Sequence, residues 1–225
     1  MSQASVDTVR RAKFERLYAP LRDDAMWAHA KWQVWLHLFS TGQGRVDLLN
    51  RAALSFFSMM RFVYVHEAVI SLSRLTDAPG AGKNSNLTVK RLIDFLDDPA
   101  EAGLREDLET RMTRARTNLT DARAIRNRRL GHLDLATSIG QQVELPSGPV
   151  VGDVTRALAE LRDILNALER HFGLPTVMYD EFIHQSGALT LLRRLKMAEA
   201  YERHVAAGRI AQDEDDLRLP NRDNV

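Results

Sequence analysis

The chain has 225 residues, 44% of them hydrophobic and 27% charged, with a formal net charge of +1. That composition is ordinary for a folded globular protein, and the length suits one domain with an extension or two small ones. A pI near 8.1 argues against a general nucleic-acid coat, so any RNA affinity must come from a local patch. Cysteine is absent, which excludes disulfides, thiolate metal sites and a cysteine nucleophile and fits a reducing compartment. Met1 to Tyr18 carries charges every few residues, unlike a signal peptide. No stretch reaches the ~20 apolar residues of a membrane helix, so a soluble, cytoplasmic protein with no membrane partner is expected.

Strand signals are almost absent, and apolar residues recur at helical spacing. Pro20 opens or kinks a helix reaching about Phe39, with Trp32, Trp35, Leu36 and Phe39 on one face, and Thr41-Gly42-Gln43-Gly44 ends it. A second helix runs from about Val46 to Thr76 and stops at Asp77-Ala78-Pro79-Gly80. A short helix spans about Leu87 to Leu96. Pro99 suits the first turn of the next helix, which extends to about Leu130 with Gly131 as its cap. Residues 136–150 form a loop, and Asp153 to Phe172 an amphipathic helix with Leu158, Leu161, Leu165 and Leu168 on one face. Gly173 and Pro175 close it. The expected fold class is all-α, a bundle of four to five main helices over residues 1–175. Residues 176–225 form a C-terminal helical extension, with one helix at about Ser186 to Ala207 and the acidic tail Asp213-Glu214-Asp215-Asp216. The tail reads as solvated, or as an occupant of an arginine-rich cleft that restrains activity.

Along the second helix a stripe at alternating spacings of four and three runs through Leu49, Ala53, Phe56, Met60 and Val63, then Glu67, Ile70, Arg74 and Asp77. The first five read as core. Glu67 and Arg74 on the same stripe must pair inside the bundle or line a polar site.

The most informative stretch is Arg126-Asn127-Arg128-Arg129-Leu130-Gly131-His132. It ends a run, Arg111 to Arg129, holding seven arginines against the single acid Asp121, a local charge of +6. Like charges three and four apart on a helix repel, so such a cluster meets something anionic. Histidine exchanges protons near neutral pH without a large pKa shift, and a cation cluster beside it suggests chemistry on a phosphate. From spacing alone, the same residues also read as arginines complementing a helix dipole with a histidine past a glycine cap.

Other signals fail. Gly80-Ala81-Gly82-Lys83 lacks the first glycine and the hydroxyl residue of a phosphate loop. His66-Glu67 lacks the second histidine of a zinc protease, since Ile70 stands there. No cluster has convincing ligand spacing, so neither a metal nor a cofactor is expected. Trp27, Trp32 and Trp35 read as helix core or dimer interface rather than as a stacking platform for bases.

The segment 126–132 resembles the arginine–asparagine–histidine signature of the HEPN superfamily, helical bundles that include many bacterial toxin and phage-defence ribonucleases. Arg45-Val46-Asp47-Leu48-Leu49-Asn50, Leu72-Ser73-Arg74-Leu75-Thr76-Asp77 and Asn86-Leu87-Thr88 extend the likeness to its abortive-infection U-type branch, over roughly Leu21 to Phe172. The resemblance implies a HEPN-type bundle, a homodimer whose two motifs face one cleft, and metal-independent cleavage of RNA that leaves a 2′,3′-cyclic phosphate, in a phage-defence or toxin–antitoxin setting with a possible antitoxin partner. Arg126, Asn127 and His132 match the catalytic positions. His132 would act as general acid or base on an RNA 2′-hydroxyl, Arg126 would hold phosphate oxygens, and Asn127 would orient phosphate or imidazole. Arg123, Arg128 and Arg129 would attract the RNA backbone. Glu67, Arg74 and Asp134 are the candidate supporting residues. The rival is a non-catalytic helical module that binds RNA or a partner protein.

Overall fold

The computed structural model describes residues 3–80, 85–125, 151–181 and 186–210, with no strand among them. Its helices are α1 (Gln3–Trp35), α2 (Gln43–Thr76), α3 (Val89–Ile93), α4 (Ala102–Asn118), α5 (Thr120–Ile125), α6 (Val151–His171) and α7 (Ala188–Ala206). A π-helical turn, Leu36–Ser40, follows α1, and a 3-10 turn, Pro99–Glu101, precedes α4. Among the described residues every regular element is helical, the all-α class expected from the sequence. It divides into two compact units, one of Met1–Leu36 with Met59–Ile183, the other of His37–Ser58 with His184–Val225.

The core of the first unit is built from stripes at alternating spacings of four and three. On α1 the buried positions are Phe14, Tyr18, Leu21, Ala25, Ala28, Trp32 and Trp35. Leu108, Met112, Ala115, Leu119 and Ala122 continue the rule through α4 and α5, and Val154, Leu158, Leu161, Leu165 and Leu168 repeat it on α6. That rhythm puts one apolar face of each helix against its neighbours. α4 and α6 pack along each other, and both α3 and α6 contact α1. Phe14 stacks on Phe172 at 3.9 Å, with Phe95 edge-on at 5.9 Å. Trp32 and Trp35 stack at 4.7 Å, both buried, and their indole nitrogens donate to Thr155 Oγ1 and the Arg61 carbonyl. Trp27 is 61% exposed.

Local chemistry explains the element ends. Asp98 caps the turn before α4, accepting from Ala100 N at 2.8 Å while Glu101 reaches back to the Asp98 N–H. α6 ends at Gly173, whose φ of +63° is the left-handed value that lets Leu174 N–H return to the Glu169 carbonyl.

Four expectations are corrected. Helix α1 starts at Gln3 and runs through Pro20, which neither opens nor stops it. Pro20 and Arg16, the residue whose carbonyl loses its partner, are both exposed, so water can satisfy that carbonyl. The helix expected to reach Leu130 breaks at Leu119, where Thr113, Thr117 and Thr120 bond their hydroxyls to the carbonyls of Glu109, Thr113 and Thr117, a habit that bends helices. The stripe on α2 does not face inward throughout. Leu49 is buried, but Phe56 and Val63 are 51% and 50% exposed. The helix is interrupted at extended Ala53, and a strict seven-residue repeat drifts ~20° per heptad on a straight helix, so the buried face shifts to Ala68, Val69, Leu72 and Leu75. Finally, α2 is 34 residues long and its most apolar 18-residue window has mean hydropathy 1.3, so one helix does have the length and composition to cross a membrane. Only 17% of that window is buried.

The second unit has its own small core of Leu38, Leu48, Leu49, Phe57, Ala188 and Leu192. Arg45 donates to the His37 carbonyl at 2.8 Å, and Arg51 on α2 pairs with Glu199 on α7 at 2.7 Å.

Candidate functional site

Arg126, Asn127, Arg128, Arg129, His132 and Asp134 lie outside the described residues, as do the proposed cap Gly131, the 136–150 loop and the acidic tail. The structure does describe the helices that lead to this segment. α5 ends at Ile125, immediately before Arg126, and both α4 and α5 are tied to the C-terminal end of α2.

That tie is made by two arginines of the seven-arginine run. Arg116 Nε donates to the Thr76 carbonyl at 2.7 Å and Nη2 to the Asp77 carbonyl at 3.3 Å. Arg123 Nη2 donates to Thr76 Oγ1 at 2.5 Å, and its Nη1 lies 3.0 Å from Asp77 Oδ1. Thr76 is fully buried and passes its own hydroxyl proton to the Leu72 carbonyl at 2.7 Å. A helix leaves its last four carbonyls without intrahelical partners and carries partial negative charge there. Two guanidiniums meet both needs at once.

The other two described arginines of the run are also paired. Arg111 faces Asp107, Glu160 and Asp163 at 3.1, 3.4 and 3.1 Å, and Arg114 reaches Glu160 at 4.0 Å. The cluster's repulsion is therefore relieved within the chain at these four positions. Arg123 stands as a brace between α5 and α2.

Glu67 and Arg74 are close to charges of α1. Glu67 accepts from Lys31 Nζ at 2.6 Å and Ser71 Oγ at 3.2 Å. The Lys31 hydrogen bond holds its carboxyl below the usual range, against the opposing effect of partial burial. Arg74 pairs with Asp24 at 3.0 Å, and its side chain is 59% exposed. The expectation that both residues lie inside the bundle is thus corrected for Arg74. Together these pairs tie the second half of α2 to α1.

Two polar centres escaped the sequence reading. At the first, the buried carboxylate of Glu101 accepts from Arg10 at 2.8 and 2.5 Å and sits 2.6 Å from His171 Nε2. Arg10 also donates to the Phe95 carbonyl at 3.0 Å. The Arg10 hydrogen bonds, helped by His171 and the Asp98 N–H and opposed by burial, hold the Glu101 carboxyl down at about 2. At the second, Glu169 is fully buried and accepts from Tyr18 at 2.5 Å, Tyr179 at 2.7 Å and the Val177 N–H at 2.9 Å. Burial first pushes both tyrosine hydroxyls upward; the bond to Glu169 adds to it at Tyr18, and the Tyr18 and Glu169 bonds add to it at Tyr179. His29 lies beside this centre, 5.8 Å from the Tyr179 ring, with Nε2 buried and unpartnered among the described residues. Burial pulls its pKa down to about 4. The only sequence signals were the capping pattern around Pro99 and a glutamate next to the Leu168 stripe. Among the described residues no three histidine or acidic side chains converge as metal ligands would.

The described helices and the arginine–histidine segment that follows α5 agree with the HEPN resemblance. The family model for AbiU2, the HEPN_AbiU2 family, matches residues 11–191, and the chain belongs to that family. The match extends past Gly173 into α7. No curated protein and no solved structure matches the chain.

Proposed function

We propose that this HEPN-type abortive-infection module is a metal-independent endoribonuclease acting on RNA through Arg126, Asn127 and His132. The observation that carries the reading is the intact spacing, an arginine followed at once by an asparagine and six positions later by a histidine, in a chain of the AbiU2 family. His132 serves as general base and then acid while the 2′-hydroxyl attacks its neighbouring phosphate, and Arg126 stabilises the charge growing on the phosphate oxygens. Arg128 and Arg129 draw in the backbone. Asp134 sets the His132 tautomer. The reading places the protein in the cytoplasm, in a phage-defence or toxin–antitoxin setting.

The braced end of α2 supports this reading. It ties the helix that precedes Arg126 to a buried anchor at Thr76, the rigid backing a catalytic group needs. The active form is a homodimer. Its contact surface is the apolar face of α2, where Met59, Phe62 and Val63 of the first unit are 58%, 56% and 50% exposed. Large apolar side chains adjacent on one helix mark interaction surfaces.

The test is cleavage of total RNA by the purified protein and by His132→Ala in EDTA, after both are shown to be equally folded. Cutting by the wild type alone, with 2′,3′-cyclic phosphate ends, is the expected result. Cleavage that needs a divalent ion would overturn the mechanism. The same exposed α2 face favours one second reading, a non-catalytic module that docks a partner protein such as an antitoxin. In that case His132→Ala leaves the biological effect intact.

A further inference from the structure

The second unit contains a cleft of about 590 Å³ lined by Thr41, Gly42, Gly44, Arg45, Leu48, Leu189, Leu192, Arg193 and Lys196. A volume of that size falls within the ~300–1,000 Å³ range of small-molecule sites. Its chemistry is divided. Leu189, 52% exposed, makes an apolar wall backed by the buried Leu48 and Leu192, and Arg45, Arg193 and Lys196 make a cationic rim.

Several arginines elsewhere on the surface are neutralised by carboxylates. Arg10, Arg51, Arg111 and Arg162 all face carboxylates. Among the described residues, none of Arg45, Arg193 and Lys196 makes an ion pair, and Arg45 is held only by the His37 carbonyl. Of the nearby acids, Asp47 accepts from Gln43 at 2.8 Å, and Glu199 pairs with Arg51 while also attracting Lys196. Three cations around one concavity, with no acid among its lining residues, create a focused positive potential. Gly42 and Gly44 leave the fourth side open, since a Cβ added at either would meet nothing within 4 Å. A ligand can therefore approach the backbone there.

We infer that this cleft binds a nucleoside polyphosphate. The phosphates lie against Arg45, Arg193 and Lys196, where guanidinium groups can form forked hydrogen bonds, and the nucleoside lies on the leucine wall. Three cations call for more than one phosphate charge, and the apolar wall calls for a body beyond the phosphates. The cleft belongs wholly to the second unit and contains none of the residues assigned to RNA cleavage, so the inference stands apart from the ribonuclease reading.

Isothermal titration of the full chain with ATP, pyrophosphate and adenosine tests it. Saturable one-site binding of ATP is expected, with pyrophosphate and adenosine each at least about tenfold weaker. Arg193→Ala with Lys196→Ala removes two exposed rim cations and should weaken ATP by about tenfold or more. Arg194→Ala, an exposed neighbour outside the cleft, should leave it unchanged. Leu189→Asp, at a 52% exposed wall position, should also weaken ATP without unfolding the chain. The inference fails if ATP shows no saturable binding, or if the double variant binds as the wild type does. Equal binding of pyrophosphate and ATP removes the nucleoside from it. Variant-sensitive binding of single-stranded RNA without binding of ATP replaces it with a nucleic-acid backbone site.

Discussion

Replacing Glu169 tests how the first unit holds the segment that follows α6. The carboxylate is fully buried and faces no cation within hydrogen-bonding distance among the described residues. It accepts from Tyr18, Tyr179 and the Val177 N–H, and the Asn166 amide, which also donates to the Val177 carbonyl, adds a longer contact at 3.2 Å. Two effects oppose each other. Burying a carboxylate costs several kcal/mol, while each hydrogen bond to a charged acceptor contributes about 1.5–3 kcal/mol. Glu169→Ala removes the charge but strands the donors, and an unpartnered buried donor costs about 1–3 kcal/mol. The tyrosine hydroxyls lie 3.3 Å apart and can satisfy one another in part, so one of the three penalties is reduced. The expected net loss is about 3–5 kcal/mol. Glu169→Gln keeps the shape and one acceptor oxygen, and should cost about 1–3 kcal/mol. Urea unfolding followed by circular dichroism measures both, provided the m-value is unchanged. If Glu169→Ala costs less than about 1 kcal/mol, the relieved burial of charge cancels the lost hydrogen bonds and the centre is not a net anchor.

Three further outcomes follow from the geometry. His29 has a folded pKa of about 4 against an ordinary 6.5, so the unfolded chain binds the proton more readily between those values. Stability should fall as pH drops from 6.5 to 4, by up to about 3 kcal/mol, and His29→Leu should flatten that part of a denaturation–pH profile. Phe62→Glu, at an exposed position on α2, should convert a dimer to a monomer in light scattering; a wild type that is already monomeric refutes the assigned interface. Asp77→Ala removes the Arg123 partner at 3.0 Å and should lower RNA cleavage about tenfold or more while shifting the melting temperature by only a few degrees. Unchanged cleavage would show that the brace does not position the motif.

The stripe of α6 could be read from the sequence because Leu158, Leu161, Leu165 and Leu168 run on one helix face in one environment. On α2 the same rhythm misled. Extended Ala53 interrupts the helix, and an apolar residue such as Val63 looks identical in sequence whether it faces a core or a protein surface. The end of α2 at Thr76 was legible from Asp77-Ala78-Pro79-Gly80, but its two arginine partners were not, because Arg116 and Arg123 meet it across 40 and 47 residues. The run of arginines was visible as charge. Its pairing with Glu160 and Asp163 required the packing of α4 on α6. Arg10, Glu101 and His171 come from three separate helical elements, and no spacing rule joins residues 91 and 70 positions apart.

That last trio has a bearing on how the molecule opens. Because one carboxylate serves both the first helix and the end of the sixth, neither terminus can fray without leaving the other's partner half-satisfied in a buried place. The amides near Arg10 and those near His171 therefore belong to a single cooperative opening unit. They should exchange with deuterium at matched rates, although 161 residues separate them in the chain.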